Sequence, residues 1–303
     1  YVYHRAKIRY IDPLFNGKRI SKCCKLANKM IKYILGDKMK MLVFDMDGTL
    51  LNNDRNMPSE NINYLNKLKK EGYIIVIATG RTVTSACYRL NNANCVNYII
   101  SDTGAKIYDL DSKKYIYNKY IPSNIASDLL NLYNDNFRYI DICSDGIYKK
   151  FSLFLEENNK VVKTYKNKQE LLNEIDKIDH IGMSFKDDKY VIEIYDYINK
   201  NFKDLDCIIM QDSFADDKWL EILPKGASKY NSINELANYL NISNGEIMAF
   251  GDGLNDIEMI EKCGIGVALA NALDEVKSKA NYITKKTNEE LGVIDFLEEY
   301  LND

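Results

Sequence analysis

Histidine and proline are the scarce residues of this 303-residue chain, with two and four copies. His4 and His180 are too few for a His-rich zinc site and argue against a Ser-His-Asp hydrolase. Seven cysteines are present, but none forms a Cys-x-x-Cys pair. An odd count without framework spacing excludes a disulfide scaffold and points to reduced thiols in an intracellular, cytoplasmic setting. Cys23 and Cys24 are adjacent, too close for an ordinary disulfide. The longest apolar runs, such as residues 74–78, fall far short of the roughly 20 residues of a membrane span. No internal repeat, low-complexity tract, or collagen-like or mucin-like composition is present. What remains is a soluble globular chain, long enough for about two domains.

The net charge of −3 hides an uneven distribution. Of 41 basic and 44 acidic residues in the chain, residues 1–40 hold eleven Lys or Arg but only Asp12 and Asp37. A basic N-terminal extension, residues 1–39, thus precedes an acidic body. Such an arm could touch nucleic acid or membrane, or be the remnant of an organelle-targeting segment. Ile20, Cys23, Ala27, Met30, Ile31 and Ile34 recur at helical spacing, which favours an arm docked on the body. No nucleic-acid or membrane partner is therefore expected. The chain starts at Tyr1 rather than Met, so its natural N-terminus is expected upstream.

Apolar runs and punctuation organise the body. Met41–Phe44 reads as a buried strand that stops at Asp45-Met46-Asp47-Gly48-Thr49. Pro58 opens a helix with Ile62, Leu65 and Leu68 on one face, closed by Gly72. Tyr73–Ala78 is a second buried strand, ending at Thr79-Gly80-Arg81, and Tyr98–Ser101 a third. Strands that are apolar throughout and alternate with helices predict a parallel sheet covered on both faces. From about Ile121 to Leu223 the pattern becomes amphipathic. Strands are expected at 138–143, 146–151, 180–186, 206–211 and 218–223, with helices near 123–134, 169–177 and 188–201. After Pro224 the first pattern resumes: helix 229–240, strand Ile247–Phe250, then Gly251-Asp252-Gly253-Leu254-Asn255-Asp256, short strands at 265–268 and 282–284, and a helix at 292–301. The expected fold is α/β, a doubly wound, Rossmann-like parallel-sheet core (40–120 and 223–303) with an inserted α+β cap domain (121–222).

Three of these strands end in polar, Gly-bearing turns. Ligands of doubly wound sheets sit outside the carboxyl ends of the strands, so neighbouring strands would bring Asp45, Asp47 and Asp252 together. Three mutually repelling carboxylates need a cation, and an all-oxygen set with room for water suits Mg²⁺. Lys229 and the backbone N–H groups near Gly80 can balance an anion. Each feature alone has a plain alternative, a strand-end turn or a solvated lysine. An EF-hand fails because Thr49 and Leu50 stand at its fifth and sixth positions. The case rests on all of them recurring in order at element ends.

Asp45-Met46-Asp47-Gly48-Thr49, Thr79-Gly80-Arg81, Lys229 and Gly251-Asp252-Gly253-Leu254-Asn255-Asp256 resemble the four ordered motifs of the haloacid-dehalogenase superfamily. The large insert and Pro224-Lys225-Gly226-Ala227-Ser228-Lys229 look like its Cof-type hydrolases. The resemblance covers roughly residues 40–303 and departs at Glu290-Leu291-Gly292, where relatives often carry Glu-Asp-Gly. It implies that Asp45 is a nucleophile that becomes phosphorylated and that Asp47 is the acid–base residue. It implies Mg²⁺ on Asp45, the Asp47 carbonyl and Asp252, with Asp256 behind them. Thr79, Gly80, Lys229 and Asn255 would hold the phosphoryl oxygens. The expected activity is that of a phosphatase acting on small phosphorylated metabolites, sugar phosphates foremost, in a monomer or small homo-oligomer. The alternatives are a phosphomannomutase-like phosphomutase and a non-catalytic metabolite-binding module. Paired linkers near Pro122 and Pro224 would let the cap move as a lid.

Overall fold

The structure is a computed structural model and describes residues 39–90, 94–153, 162–211 and 218–302. The docked helix expected at residues 20–34 lies outside the described residues.

The first strand, β1 (Met41–Phe44), is followed by helix α1 (Ser59–Lys70), β2 (Ile74–Ala78), α2 (Val83–Arg89) and β3 (Tyr98–Ser101). Phe44 pairs in register with Ile77 on one side and with Phe250 of a later strand on the other. All three neighbours run parallel, as their unbroken burial predicts. Two further strands, β4 (Lys106–Asp109) and β5 (Lys114–Asn118), then add an antiparallel hairpin to the sheet edge. The expected parallel core is therefore extended at this edge by a hairpin that the sequence pattern did not announce. The strand β5 is largely exposed, as an edge strand can be, and so carries no apolar run.

Helix α3 (Ser123–Asn131) opens the insert, which continues as β6 (Phe137–Ser144), β7 (Ile147–Phe151), β8 (Lys163–Tyr165), α4 (Lys168–Asn173), β9 (Ile178–Phe185), α5 (Lys189–Asn201), β10 (Leu205–Gln211) and β11 (Lys218–Pro224). These strands form one six-stranded sheet in the order β10-β11-β9-β6-β7-β8. Every pairing in it is antiparallel except β7 with β8, and β8 was not expected from the sequence. Alternation sorts its two faces. Ile140, Ile142, Ile181, Met183, Leu220 and Ile222 pack under the three helices. Asp141, Cys143, His180 and Glu221 occupy the intervening positions.

The chain returns to the core as α6 (Lys229–Leu240), β12 (Ile247–Gly251), α7 (Ile257–Lys262), β13 (Ile265–Ala268), α8 (Asp274–Lys277), β14 (Tyr282–Ile283) and α9 (Gly292–Asn302). The core sheet order is β14-β13-β12-β1-β2-β3-β4-β5. Leu42 and Phe44 face one helix layer with Leu65, Val83 and Leu297, while Met41 and Val43 face the other with Ile233, Leu236 and Ile260. The architecture is therefore a doubly wound α/β core with an inserted α+β cap. The two chain crossings between them lie side by side, since Lys119 Nζ donates to the carbonyls of Lys225 and Gly226, at 3.1 Å each.

Candidate active site

Strand order reverses between β1 and β12: successive strands run one way from β1 and the other way from β12. At such a switch point the connections leave in opposite directions and a crevice opens at the strand ends. The residues that emerge there are Asp45 and Asp252. Asp45 extends the β1 ladder by one bond, its N–H reaching the Phe250 carbonyl at 2.9 Å. Beneath them Phe44 and Phe250 stack with centroids 5.0 Å apart, tying the two strand ends together.

The turn after Asp45 needs its glycine. Gly48 has φ +80°, and a Cβ there would meet Asp252 Oδ2 at 2.2 Å. Close passage of this turn lets Thr49 Oγ1 donate to Asp252 Oδ1 at 2.7 Å. Gly251 plays the same part opposite, because a Cβ on it would meet the Asp256 carboxylate. Asp256 in turn accepts from the N–H groups of Asp252 and Gly253 at 3.0 and 2.9 Å.

Lys229 is the first residue of α6, capped by the Ser228 side chain. It is 1% exposed, and its Nζ donates to Asp45 Oδ1 and Asp256 Oδ1, both at 2.6 Å. Carboxylate oxygens of Asp45, Asp252 and Asp256 all lie within 4.8 Å of one another. One ammonium thus faces three buried acids. Burial, then repulsion by Asp256 and Asp252, pushes the Asp45 carboxyl well above its usual range despite Lys229. Burial and Asp256 likewise push Asp252 up to about 7. Burial opposes charge on Lys229, yet the attraction of Asp256 and Asp45 prevails and raises it. The cluster lacks positive charge, and its donors are hard oxygens. A divalent cation of the Mg²⁺ kind fits this deficit.

Asp47 stands apart from that cluster. Its two oxygens accept from Arg81 Nε and Nη2 at 2.7 and 2.6 Å, a two-pronged fork. The bond to Asp47 is the main cause that holds Arg81 above its ordinary value, and Asp45 and the cap residue Tyr148 add to it. The sequence shows Arg81 beside the Thr-Gly turn but gives it no role. Thr79 is buried and accepts from the Arg81 N–H at 3.2 Å. A Cβ on Gly80 would come within 3.3 Å of Thr103 Oγ1, and that hydroxyl donates to the cap's Glu221 at 2.7 Å. Thr103 and Glu221 were also not singled out from sequence. Asn255 lies half-buried in the single turn after Gly253. Fold thus brings Asp45, Lys229, Asp252 and Asp256 into direct contact and sets the Asp47–Arg81 fork beside them.

Comparison with known proteins agrees with this layout. The model of the haloacid dehalogenase-like hydrolases matches residues 42–297. The 5-amino-6-(5-phospho-D-ribitylamino)uracil phosphatase YcsE of Bacillus subtilis is 30% identical, over 84% of this chain and 93% of its own. HMP-PP phosphatase of Yersinia enterocolitica is 25% identical, over 87% of this chain and 96% of its own. A solved haloacid dehalogenase-like hydrolase from B. subtilis aligns with a TM-score of 0.74 at 25% identity, covering 87% of this chain and 100% of that one. The chain belongs to the haloacid dehalogenase-like hydrolases, in their Cof-type branch, and is an enzyme of the phosphatase class.

Proposed function

We propose that this enzyme is a Mg²⁺-dependent phosphatase of small phosphorylated metabolites, sugar phosphates foremost, working through an aspartyl-phosphate on Asp45. The observation that carries the reading is the position of Asp45. It is buried at the switch point, with one oxygen held by Lys229 and the fork of Asp47 two residues on.

The other Asp45 oxygen attacks phosphorus in line, and the bond to the ester oxygen breaks. Asp47 delivers a proton to that departing oxygen. It then takes a proton from the water that attacks the aspartyl-phosphate, and inorganic phosphate leaves with Asp45 restored. Arg81 holds the Asp47 carboxylate in one orientation through both proton transfers. Thr79, the Gly80 N–H, Lys229 and Asn255 receive the phosphoryl oxygens, where the transferring charge resides. Asp45, the Asp47 carbonyl and Asp252 would hold Mg²⁺, with Asp256 fixing Asp252 and Lys229 behind them. The ion supplies charge neutralisation on the phosphoryl oxygens.

The insert, with boundaries near residues 121 and 222, acts as a lid on its paired crossings. Its core-facing surface carries Asp141, Tyr148 and Lys150, groups suited to a hydroxyl-rich leaving group. The B. subtilis relative named for a phosphorylated ribityl compound supports the same class.

The deciding experiment is phosphate release from a panel of sugar and nucleotide monophosphates, before and after verified metal removal. Activity is expected to vanish with the metal and to return with Mg²⁺. Turnover by the metal-free protein would overturn the metal assignment. An isomerised monophosphate without free phosphate would identify a mutase, and no turnover of any ester would leave a binding module.

A further inference from the structure

A second buried cluster joins cap to core at the end of β3, with no member in common with the Asp45–Asp252–Asp256 group. Asp102 follows β3 in the core, while Cys143 on β6 and His180 on β9 are direct cross-strand partners in the cap. All three are between 0 and 4% exposed. One donor atom from each lies within 4.8 Å of the other two. His180 Nδ1 is 3.3 Å from Asp102 Oδ1, and Cys143 Sγ is 3.8 Å from the same oxygen. Around a tetrahedral zinc ion, bonds of about 2.0–2.3 Å place ligand atoms about 3.3–3.6 Å apart. The two separations to Asp102 Oδ1 are those of a ligand set within a few tenths of an ångström, and the third lies within 4.8 Å.

Hydrogen bonding leaves this set unfinished. Buried polar atoms are ordinarily paired, and a His–Asp ion pair would align its N–H with the carboxylate. Here His180 Nδ1 is buried and, although Asp102 Oδ1 lies 3.3 Å away, the two are not aligned as a hydrogen bond. Asp179 adds a second orphan, Oδ1, beside the cluster. Its other oxygen lies 3.6 Å from Cys143 Sγ and is held by Lys106 Nζ at 2.7 Å and the Gly146 N–H at 2.8 Å. The ion pair with Asp179 offsets much of the repulsion that Lys106 would exert on a cation at Asp102.

We propose that Asp102, Cys143 and His180 bind a zinc-class divalent cation that staples the cap to the core. A thiolate and an imidazole select a softer ion than the all-oxygen cluster at Asp45, so the two sites sort Zn²⁺ from Mg²⁺. On binding, the Cys143 S–H bond breaks, a metal–sulfur bond forms, and the proton goes to solvent. Ionised Cys143 and Asp102 then balance the dication, with His180 neutral. Asp102 adjoins Thr103, which reaches both the Gly80 loop and Glu221. In the arrangement seen here, such a metal therefore ties the cap to the phosphate loop, and the lid opens only when a ligand is released.

The test reads binding and stands whether or not the chain is a Mg²⁺ phosphatase. Co²⁺ is titrated into the full chain with Mg²⁺ in excess to fill the oxygen site. The expected result is a near-ultraviolet thiolate-to-cobalt charge-transfer band that saturates at one ion per chain and is abolished by stoichiometric Zn²⁺. It should be absent in Cys143→Ser, and Zn²⁺ should bind His180→Gln at least about tenfold more weakly, since losing a direct ligand costs no less than losing an outer partner. Absence of the band in the wild type, or its survival in Cys143→Ser, overturns the proposal. If Cys143→Ser fails to fold, Asp102→Asn decides: tenfold weaker Zn²⁺ binding supports the site, and unchanged binding overturns it.

Discussion

The two sheets carry their chemistry in different places. In the eight-stranded core, the central parallel strands are apolar on both faces and the candidate site residues sit in turns beyond strand ends. In the six-stranded cap, one face is a hydrophobic core and the other bears Asp141, Cys143, His180 and Glu221. A strand end fixes a side chain by backbone register, as Phe44 opposite Phe250 fixes Asp45 beside Asp252. A sheet face leaves each side chain free to vary without breaking the ladder. The first arrangement suits invariant chemistry and the second suits discrimination among leaving groups.

The sharpest way to break this contrast is at Asp45. Asp45→Asn keeps the shape of the side chain but removes the proposed nucleophile. Phosphate release should fall by more than about a thousandfold for every ester in a panel, with an unchanged circular dichroism spectrum. A loss confined to some esters would move the chemistry off the strand end.

Arg81→Lys tests the fork. A lysine keeps the charge but cannot grip both oxygens of Asp47. Turnover should fall about tenfold or more with KM little changed, since orientation rather than binding is lost. Steady-state kinetics on one good substrate suffice, and an unchanged turnover number would show that the fork does not position Asp47 for the proposed proton transfers.

The cap face should respond differently. Tyr148→Phe and Lys150→Ala should shift the ratio of kcat/KM between two sugar phosphates by about tenfold. Hydrolysis of acetyl phosphate, whose leaving group is too small to reach the face, should stay within about twofold of the wild type. Equal losses on all substrates would place these residues in the chemistry and erase the distinction between end and face.

That same distinction governs what the sequence reveals. Met41–Phe44 and Ile247–Gly251 are buried on both faces, so each appears as an unbroken apolar run stopping at an aspartate. Site and core strands were legible for that reason. The hairpin of β4 and β5 was not. Its turn is built from Asp109, whose carboxylate accepts the N–H groups of Asp111 and Ser112, and from Lys113 at φ +55°, without glycine or proline. Strand β8 has three residues and gains its place only by pairing with β7. Asp102 and Cys143 are 41 residues apart, with no spacing to announce them. The count of two histidines, used against a His-rich metal site, said nothing of a mixed site with one. At Glu290-Leu291-Gly292, Leu291 takes φ +60° and a Cβ on Gly292 would meet the Lys286 carbonyl at 2.2 Å. The loop keeps its glycine for close packing while its middle residue sits in a conformation that β-carbons resist.

The opposite ends of the same two strands give the smallest effect. Lys40 precedes β1 and Glu246 precedes β12, and the two form an ion pair alongside the bond from the Lys40 N–H to the Glu246 carbonyl at 2.9 Å. The Ser243 N–H and hydroxyl also donate to Glu246, at 2.9 and 2.8 Å. Lys40 first, and Ser243 after it, pull the Glu246 carboxyl down to about 2. An unfolded glutamate titrates near about 4.3. A depressed folded value means that the native state gains stability from the ionised group at pH above the unfolded value. That gain is lost as pH falls from there towards about 2. Glu246→Gln should therefore lower the urea midpoint near neutral pH, and the gap to wild type should narrow steadily in acid. Phosphate release at saturating substrate should not change, because the proposed chemistry lies at the opposite end of these strands. A gap independent of pH would mean that the carboxylate charge contributes nothing. A changed turnover number would mean that the two ends of β1 and β12 are coupled.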